Sequence, residues 1–72
     1  MAKRRDVIKR ITKAAAAAGL TWKIEREGAR HTVYTLDGLR IPIPRHTEIG
    51  EGLTEDIYKE CAAKLGKGWW RQ

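Results

Sequence analysis

The chain has 72 residues, of which 15 are Lys or Arg and 9 are Asp or Glu, giving a formal net charge of +6. A chain this short folds as one domain and buries only about 60% of the surface that its unfolded form exposes, which excludes a deep substrate cavity. The positive charge is typical of proteins that bind nucleic acid or an acidic partner, and a single cysteine excludes an internal disulfide.

The charges are distributed unevenly. Residues 3–13 hold six basic side chains and one acid, Asp6, whereas residues 48–60 hold five acids and one base, Lys59. The longest apolar run, residues 14–18, is too short to span a bilayer, and no signal peptide is evident. We therefore expect a cytoplasmic protein without a membrane segment, one end of which attracts phosphate groups.

A first helix is predicted over residues 6–18, where apolar residues recur at helical spacing. Asp6 is expected to cap its N-terminus and Gly19 to end it. One outward stripe carries a basic residue at every fourth position: Arg5, Lys9 and Lys13. That stripe is either a solvated face or a surface that contacts phosphates.

Three strands are predicted next, as an antiparallel meander. An alternating segment over residues 20–24 predicts the first strand, and Gly28 marks the turn after it. The second strand, His31–Leu36, is joined to a third over residues 39–43 by Asp37-Gly38, a strong signal for a two-residue hairpin.

Alternation assigns the strand side chains to two faces. The face toward the helices is predicted to carry Leu20, Trp22, Ile24, Tyr34, Leu36, Leu39, Ile41 and Ile43. The open face is predicted to carry Lys23, His31, Val33, Thr35 and Arg40. Pro42 and Pro44 lack amide hydrogens on the same side of their strand, so that strand is expected at a sheet edge.

A second helix is predicted over residues 52–65, ending at Gly66, because Leu53, Ile57, Cys61 and Leu65 are spaced by four. The predicted fold is α+β in the order α-β-β-β-α, a three-stranded antiparallel sheet with two helices on one face, since each helix has a single apolar stripe. Residues 1–66 form the predicted domain. Residues 67–72 form a short basic tail whose Trp69 and Trp70 either stack on bases or pack on a protein surface.

Two histidines are the candidates for acid–base chemistry. Histidine both takes and gives protons near neutral pH because its unperturbed pKa is about 6.5. His31 is therefore the candidate catalytic residue for phosphodiester cleavage, the alternative being a strand-end histidine that only positions phosphate. His46 is either a second acid or base or a locally hydrogen-bonded loop residue. Two separated histidines and one cysteine do not have the spacing of a metal site, so we expect no metal or cofactor.

The basic side chains divide into two predicted groups. Arg30 and Arg40, with Lys23, are candidates to stabilise charge that develops at phosphorus, or they are ordinary surface residues. The RNA-binding group, which also includes Lys23, is expected to give RNA affinity that falls with salt: Lys3, Arg4, Arg5, Lys9, Arg10, Lys13, Lys23 and Arg45.

Three motifs in order resemble those of HicA-type toxins, the RNA-cleaving halves of toxin–antitoxin pairs. They are Gly28-Ala29-Arg30-His31 at the first hairpin, Ile43-Pro44-Arg45-His46 after the third strand, and the closing helix segment 57–66. The resemblance covers the chain from about residue 5 to residue 66. It implies a fold like that of double-stranded-RNA-binding domains, ribonuclease activity on messenger RNA, and a HicB-like antitoxin that covers the His31 face.

In that family a histidine soon after the glycine turn is functional, and His31 stands at the matching position. Ala29 stands where serine is common, and Arg30 where another polar residue or a histidine often sits. The missing hydroxyl removes a possible hydrogen bond to backbone or phosphate. The family pattern therefore predicts a metal-independent endoribonuclease whose turn differs from the usual one.

Two other functions remain open from the sequence. One is a non-catalytic RNA-binding module of the same fold, and the other is an adaptor whose basic face binds an acidic protein. A reader of duplex RNA is disfavoured, because such domains usually have lysines at the start of the second helix, where this chain has Glu51, Glu55 and Asp56.

Overall fold

The computed structural model describes residues 2–71, so Met1 and Gln72, the outer ends of the predicted domain and tail, lie outside the described residues. The elements in chain order are β1 (Ala2–Lys3), α1 (Arg4–Ala18), β2 (Trp22–Glu27), β3 (His31–Leu36), β4 (Leu39–Pro44), β5 (Glu48–Ile49), α2 (Glu51–Leu65) and a 3-10 turn (Trp69–Arg71). The predicted α+β class and the α-β-β-β-α order are confirmed. The two short strands β1 and β5 are additional to the prediction.

Helix α1 begins two residues earlier than predicted. Lys3 is its N-cap and makes no side-chain capping bond, while Asp6 lies inside the first turn, so the prediction of Asp6 as the cap was wrong. The amide of Arg4 instead donates to the carbonyl of Thr47 at 2.8 Å. That bond satisfies one of the free amides at the start of a helix. Gly19 ends α1 in the left-handed region, with φ of 71°, as predicted.

The main sheet has the strand order β2-β3-β4, and all its pairs are antiparallel. Asp37 and Gly38 join β3 to β4 with φ angles of 51° and 86°. Pro42 lies opposite Val33 and Pro44 opposite His31, so β4 forms a sheet edge, as the prolines predicted. The short strands β1 and β5 pair with each other, Ala2 lying opposite Ile49.

Both helices cover the same face of the sheet, as predicted. The buried core consists of Val7, Ile11 and Ala15 of α1, Tyr34, Leu36, Ile41 and Ile43 of the sheet, Ile49 of β5, and Ile57, Tyr58 and Cys61 of α2. Trp22 stacks on Tyr34 at a centroid distance of 4.5 Å. The sheet face under the helices is therefore the apolar one, and the other face carries most of the charged strand residues.

Three burial predictions were wrong. Ile24 is 50% exposed and Leu53 is 46% exposed. Ile24 lies on edge strand β2 just before a pairing irregularity, and Trp22 rather than Ile24 covers Tyr34. Thr35, expected on an open face, is only 7% exposed, because it lies on the central strand between Lys23 and Arg40, whose long side chains flank it. The first strand also begins at Trp22 rather than at residue 20, since the Leu20 amide still bonds to the Ala15 carbonyl of α1.

Candidate functional site

The turn before β3 presents His31. The amide of Gly28 donates to the carbonyl of His31 at 2.8 Å, which closes the turn across two residues. A Cβ atom at position 28 would lie 3.1 Å from that same carbonyl oxygen, so a larger residue would push the two backbones apart. His31 itself is exposed and is the first residue of the central strand. Glycine at position 28 therefore allows this close approach without a shift of the His31 carbonyl.

Arg45, the residue after β4, stabilises this turn with hydrogen bonds. Its Nη1 donates to the Gly28 carbonyl at 2.8 Å, and its amide donates to the Arg30 carbonyl at 3.2 Å. Its Nη2 also lies 3.7 Å from the Glu27 carboxylate. The sequence predicted Arg45 as an RNA contact; its guanidinium also holds the turn, and its side chain remains 46% exposed.

Arg4 fixes the other side of His31. Its Nε donates to the Pro44 carbonyl at 2.8 Å, and its Nη2 donates to the Thr32 hydroxyl at 3.0 Å. Pro44 lies opposite His31 in the sheet, and Thr32 follows His31 with only 1% exposure. We call Arg4 and Arg45 the arginine clamp. No periodic signal in the sequence marks it, because the fold brings together residues as far as 40 positions apart.

An open groove of about 490 Å³ lies beside His31. This His31 groove is lined by His31, Pro42 and Pro44 of the sheet and by Leu53, Asp56, Ile57 and Glu60 of α2. The sequence predicted His31 on the open sheet face, away from the helices, yet two carboxylates of α2 line this groove, so the expected separation of His31 from that acidic helix was wrong. Because α2 packs against β4, the strand next to His31, its carboxylates reach the same groove.

Several predicted auxiliary residues do not lie beside His31. Arg40 lies opposite Thr35, four strand positions from the pair of His31 and Pro44, which is about 13 Å along a strand. Its Nε also forms an ion pair with Glu25 at 3.0 Å. Lys23 lies opposite Thr35 on the other side. His46 is exposed in the loop after β4 and does not line the His31 groove. Arg30 lies in the turn and directly precedes His31 in the chain, so it is the predicted auxiliary cation that adjoins His31.

A second opening, the basic cleft, lies where α1 begins. It measures about 340 Å³ and is lined by Lys3, Arg4, Arg5, Arg45 and Thr47. Lys9, Arg10 and Lys13 line a shallower cleft further along α1, together with Asp6. The basic cleft adjoins the histidine turn, because Arg45 contributes to both.

The described residues offer no other strong chemical site. Residues 2–71 contain no group of three or more His, Cys, Asp or Glu side chains placed to hold a metal ion. Neither helix within them is long and apolar enough to cross a membrane. Cys61 is buried in the core, so it is not placed to act as a nucleophile.

The stability of the protein should fall between about pH 9 and pH 12. Burial, with a smaller effect from Glu60, raises the pKa of the Cys61 thiol from 9.0 to about 12. The unfolded chain therefore loses this proton at lower pH than the folded one. The stability that the buried neutral thiol contributes is complete below pH 9 and is lost as the pH rises toward 12, by at most about 1.4 kcal/mol per pH unit. Burial also raises the pKa of Tyr58, against an opposing effect of Arg10, and acts in the same direction.

Urea unfolding of the wild type and Cys61→Ala at pH 8 to 11 measures this effect. The alanine variant should be the less stable protein at pH 8, because it leaves a cavity in the core, but it should lose less stability as the pH rises. An equally steep decline in both proteins would show that the thiol does not carry the dependence.

These observations define a class of protein: a small basic α+β domain that presents an exposed histidine on a turn held by two arginines. No protein-family model matches the chain, and neither the curated proteins nor the solved structures give a significant match. The likeness to HicA-type toxins therefore depends on the sequence motifs described above.

Proposed function

We propose that this protein is a metal-independent endoribonuclease of the HicA type, a toxin that cleaves messenger RNA in the cytoplasm with His31 as its general acid or base. The observation that carries the proposal is the exposed imidazole of His31 on a turn held on both sides by the arginine clamp. A catalytic group acts best from a defined position, and the two arginines fix the backbone on either side of His31 through the Gly28 and Pro44 carbonyls and the Thr32 hydroxyl.

The chemistry requires one proton to be moved at each of two oxygens. When the RNA 2′-hydroxyl attacks phosphorus, a new O–P bond forms, the bond to the 5′-oxygen breaks, and the 5′-oxygen gains a proton. His31 takes the proton from the attacking hydroxyl or gives one to the leaving oxygen, and water serves the other. Such proton transfer typically accelerates a reaction by about 10²–10⁴-fold. Arg30, next to His31, is the cation placed to stabilise the charge on the phosphoryl oxygens.

The charges around His31 favour one direction of approach for RNA. Asp56 and Glu60 line the groove on the α2 side and repel phosphates, whereas the basic cleft lies on the Arg45 side. RNA therefore reaches His31 from the basic cleft. The groove itself is lined by Leu53 and two prolines together with the acids Asp56 and Glu60, so it suits a protein segment with apolar and basic side chains. A HicB-like antitoxin that inserts such a segment would cover His31.

The test is cleavage of labelled single-stranded RNA by the purified protein in the presence of EDTA, with His31→Ala taken through the same purification as a control for contamination. We expect the wild type to cleave in EDTA and the variant not to. Binding without cleavage would overturn the proposal in favour of a non-catalytic RNA-binding module. Loss of cleavage in EDTA would show a metal-dependent nuclease instead. Cleavage by both preparations would identify a contaminant or a site other than His31.

A further inference from the structure

We propose that single-stranded RNA follows a continuous track from the basic cleft, across the start of α1, to a base-stacking platform formed by Trp70. That platform lies on a different side of α2 from the His31 groove. The proposal rests on the RNA-directed function above, but it concerns where the strand binds and not how it is cut. The structure carries it through the position of the C-terminal aromatic residues, the continuity of three surface clefts and their charge.

The C-terminal tryptophans are folded onto the domain. Trp69 donates its indole Nε1–H to the Tyr58 carbonyl at 2.8 Å, and its ring meets the Tyr58 ring edge-on at 5.2 Å. The Trp70 ring lies 5.9 Å from the Tyr58 ring and 6.0 Å from the Trp69 ring. Trp70 remains half-exposed and lines an open pocket of about 330 Å³. The predicted tail is thus a fixed aromatic surface and not a free end.

Three neighbouring clefts on this side of the molecule have lining residues in common. The Trp70 pocket shares Ala2, Thr54 and Tyr58 with a neighbouring cleft of about 400 Å³. That cleft shares Lys3 and Arg5 with the basic cleft. The surface therefore runs without a break from Trp70 to Arg45, whose guanidinium holds the Gly28 carbonyl of the histidine turn. We call this surface the RNA track.

The middle of the RNA track is positively charged. Lys3, Arg5 and Arg10 line it with a single acid, Asp6, which Arg5 approaches at 3.7 Å. Near Trp70, two acids line the pocket, Glu51 and Glu55. The carboxylate of Glu55 is paired with Arg71 at 3.2 Å and with Lys59 at 3.7 Å. The repulsion that Glu55 would exert on a phosphate is thereby reduced.

This pattern fits a single nucleic-acid strand better than a protein segment. Proteins that bind single strands combine a basic groove for the phosphates with aromatic rings on which bases stack. A protein partner acidic enough to match the cations would not need an aromatic ring at the end of the track. The Arg71 guanidinium lies over the Trp70 ring, 5.3 Å from its centroid, so a base that stacks there takes the place of that cation. Lys3 and Arg10 are seven residues apart, about 10 Å along a helix, so the track accommodates a run of only a few nucleotides. The sheet's open face is the competing surface, and one of its cations, Arg40, is already paired with Glu25.

The test measures binding of fluorescent 2′-O-methyl oligoribonucleotides, which lack the attacking hydroxyl, so the readout does not depend on cleavage. A long and a very short oligonucleotide are titrated at several salt concentrations. Trp70→Leu keeps an apolar side chain but removes the aromatic ring, and Trp70→Phe keeps a ring. We expect Trp70→Leu to weaken binding of the long oligonucleotide by roughly 5- to 100-fold, with little effect on the short one, and Trp70→Phe to retain most of the affinity.

The charge of the track is tested by a matched pair of double variants. Lys3→Gln/Arg5→Gln should reduce the salt slope of log K by about 1.4, since each phosphate contact on a single strand contributes about 0.7. Lys23→Gln/Arg26→Gln removes the same charge from the open sheet face, the competing surface for RNA, and should lower the affinity and the salt slope less than the track variant does.

Three results would overturn the track: a larger loss in the sheet-face variant, equal losses for both oligonucleotide lengths in Trp70→Leu, or binding of an acidic peptide in place of RNA. Intact binding along the track without any cleavage of ordinary RNA would overturn the proposed catalysis alone.

Discussion

Replacement of His31 by glutamine should lower the rate of single-stranded RNA cleavage at neutral pH by about 10²–10⁴-fold, which is the usual contribution of a general acid or base. Glutamine retains hydrogen-bonding capacity and similar bulk but does not exchange protons in this range. Because His31 is exposed and only begins β3, the free energy of unfolding should change by less than about 0.5 kcal/mol. The measurement is single-turnover cleavage together with thermal unfolding of the same preparations.

His46→Gln provides the matched control. His46 is also exposed, but it lies in the loop after β4 and outside the His31 groove, so its replacement should leave the rate unchanged. An equal loss in both variants would support a pair of histidines acting as acid and base, the alternative left open by the sequence. Full activity in His31→Gln would exclude His31 from proton transfer.

The parts of the fold that were predictable are those set by neighbouring residues. Strand β3 was predicted with the bounds that it has, because His31–Leu36 lies between two turns with clear local signals. The left-handed angles of Asp37 and Gly38 follow from residue types that tolerate them, and Gly19 ends α1 for the same reason. Local sequence therefore defined the strand, the turns and the position of the imidazole.

The parts that were missed depend on residues far apart in the chain. Strands of two residues, such as β1 and β5, are too short to show alternation, and their pairing of Ala2 with Ile49 follows from topology. Periodicity also shows which side of an element is apolar, but not how far its neighbour extends, so Ile24 and Leu53 were placed in the core. The acids of α2 reached the His31 groove for a similar reason: the packing of α2 on β4 is a tertiary property.

The candidate site shows the same division. His31 and Gly28 were identified from the turn, whereas the structural contacts of Arg4 and Arg45 were not predicted, because charge alone does not distinguish a solvated cation from one that also holds the backbone. Three hydrogen bonds from the guanidinium groups of these two arginines, to the carbonyls of Pro44 and Gly28 and to the Thr32 hydroxyl, distinguish them from fully solvated cations. A basic sequence segment can therefore serve the site indirectly, by holding the catalytic residue, as well as by contacting phosphate.

Replacement of Arg4 by methionine should destabilise the protein by about 2–4 kcal/mol. The same replacement of Arg5, which carries an equal charge, should have little effect on stability. The guanidinium donates to the Pro44 carbonyl and to the hydroxyl of Thr32, whose residue is 1% exposed, so its removal leaves buried acceptors without this donor. A domain of this length has about 4–10 kcal/mol of total stability, and each kcal/mol corresponds to about 4–8 °C in the unfolding midpoint. We therefore expect a fall of at least about 8 °C.

Arg5→Met is the control for this variant, because Arg5 is the next residue, is exposed and loses the same charge. Its free energy of unfolding should stay within about 0.5 kcal/mol of that of the wild type. Arg4→Lys keeps the charge but offers a point charge in place of a fork of donors, so it should recover only part of the stability. At temperatures below its unfolding midpoint, Arg4→Met should cleave RNA more slowly than the wild type at saturating substrate. The reason is that Arg4 no longer holds Pro44, the residue opposite His31 in the sheet. If Arg4→Met instead kept its stability and lost only RNA affinity, Arg4 would be an RNA contact, as its place among basic residues first predicted, and the clamp would be reduced to Arg45.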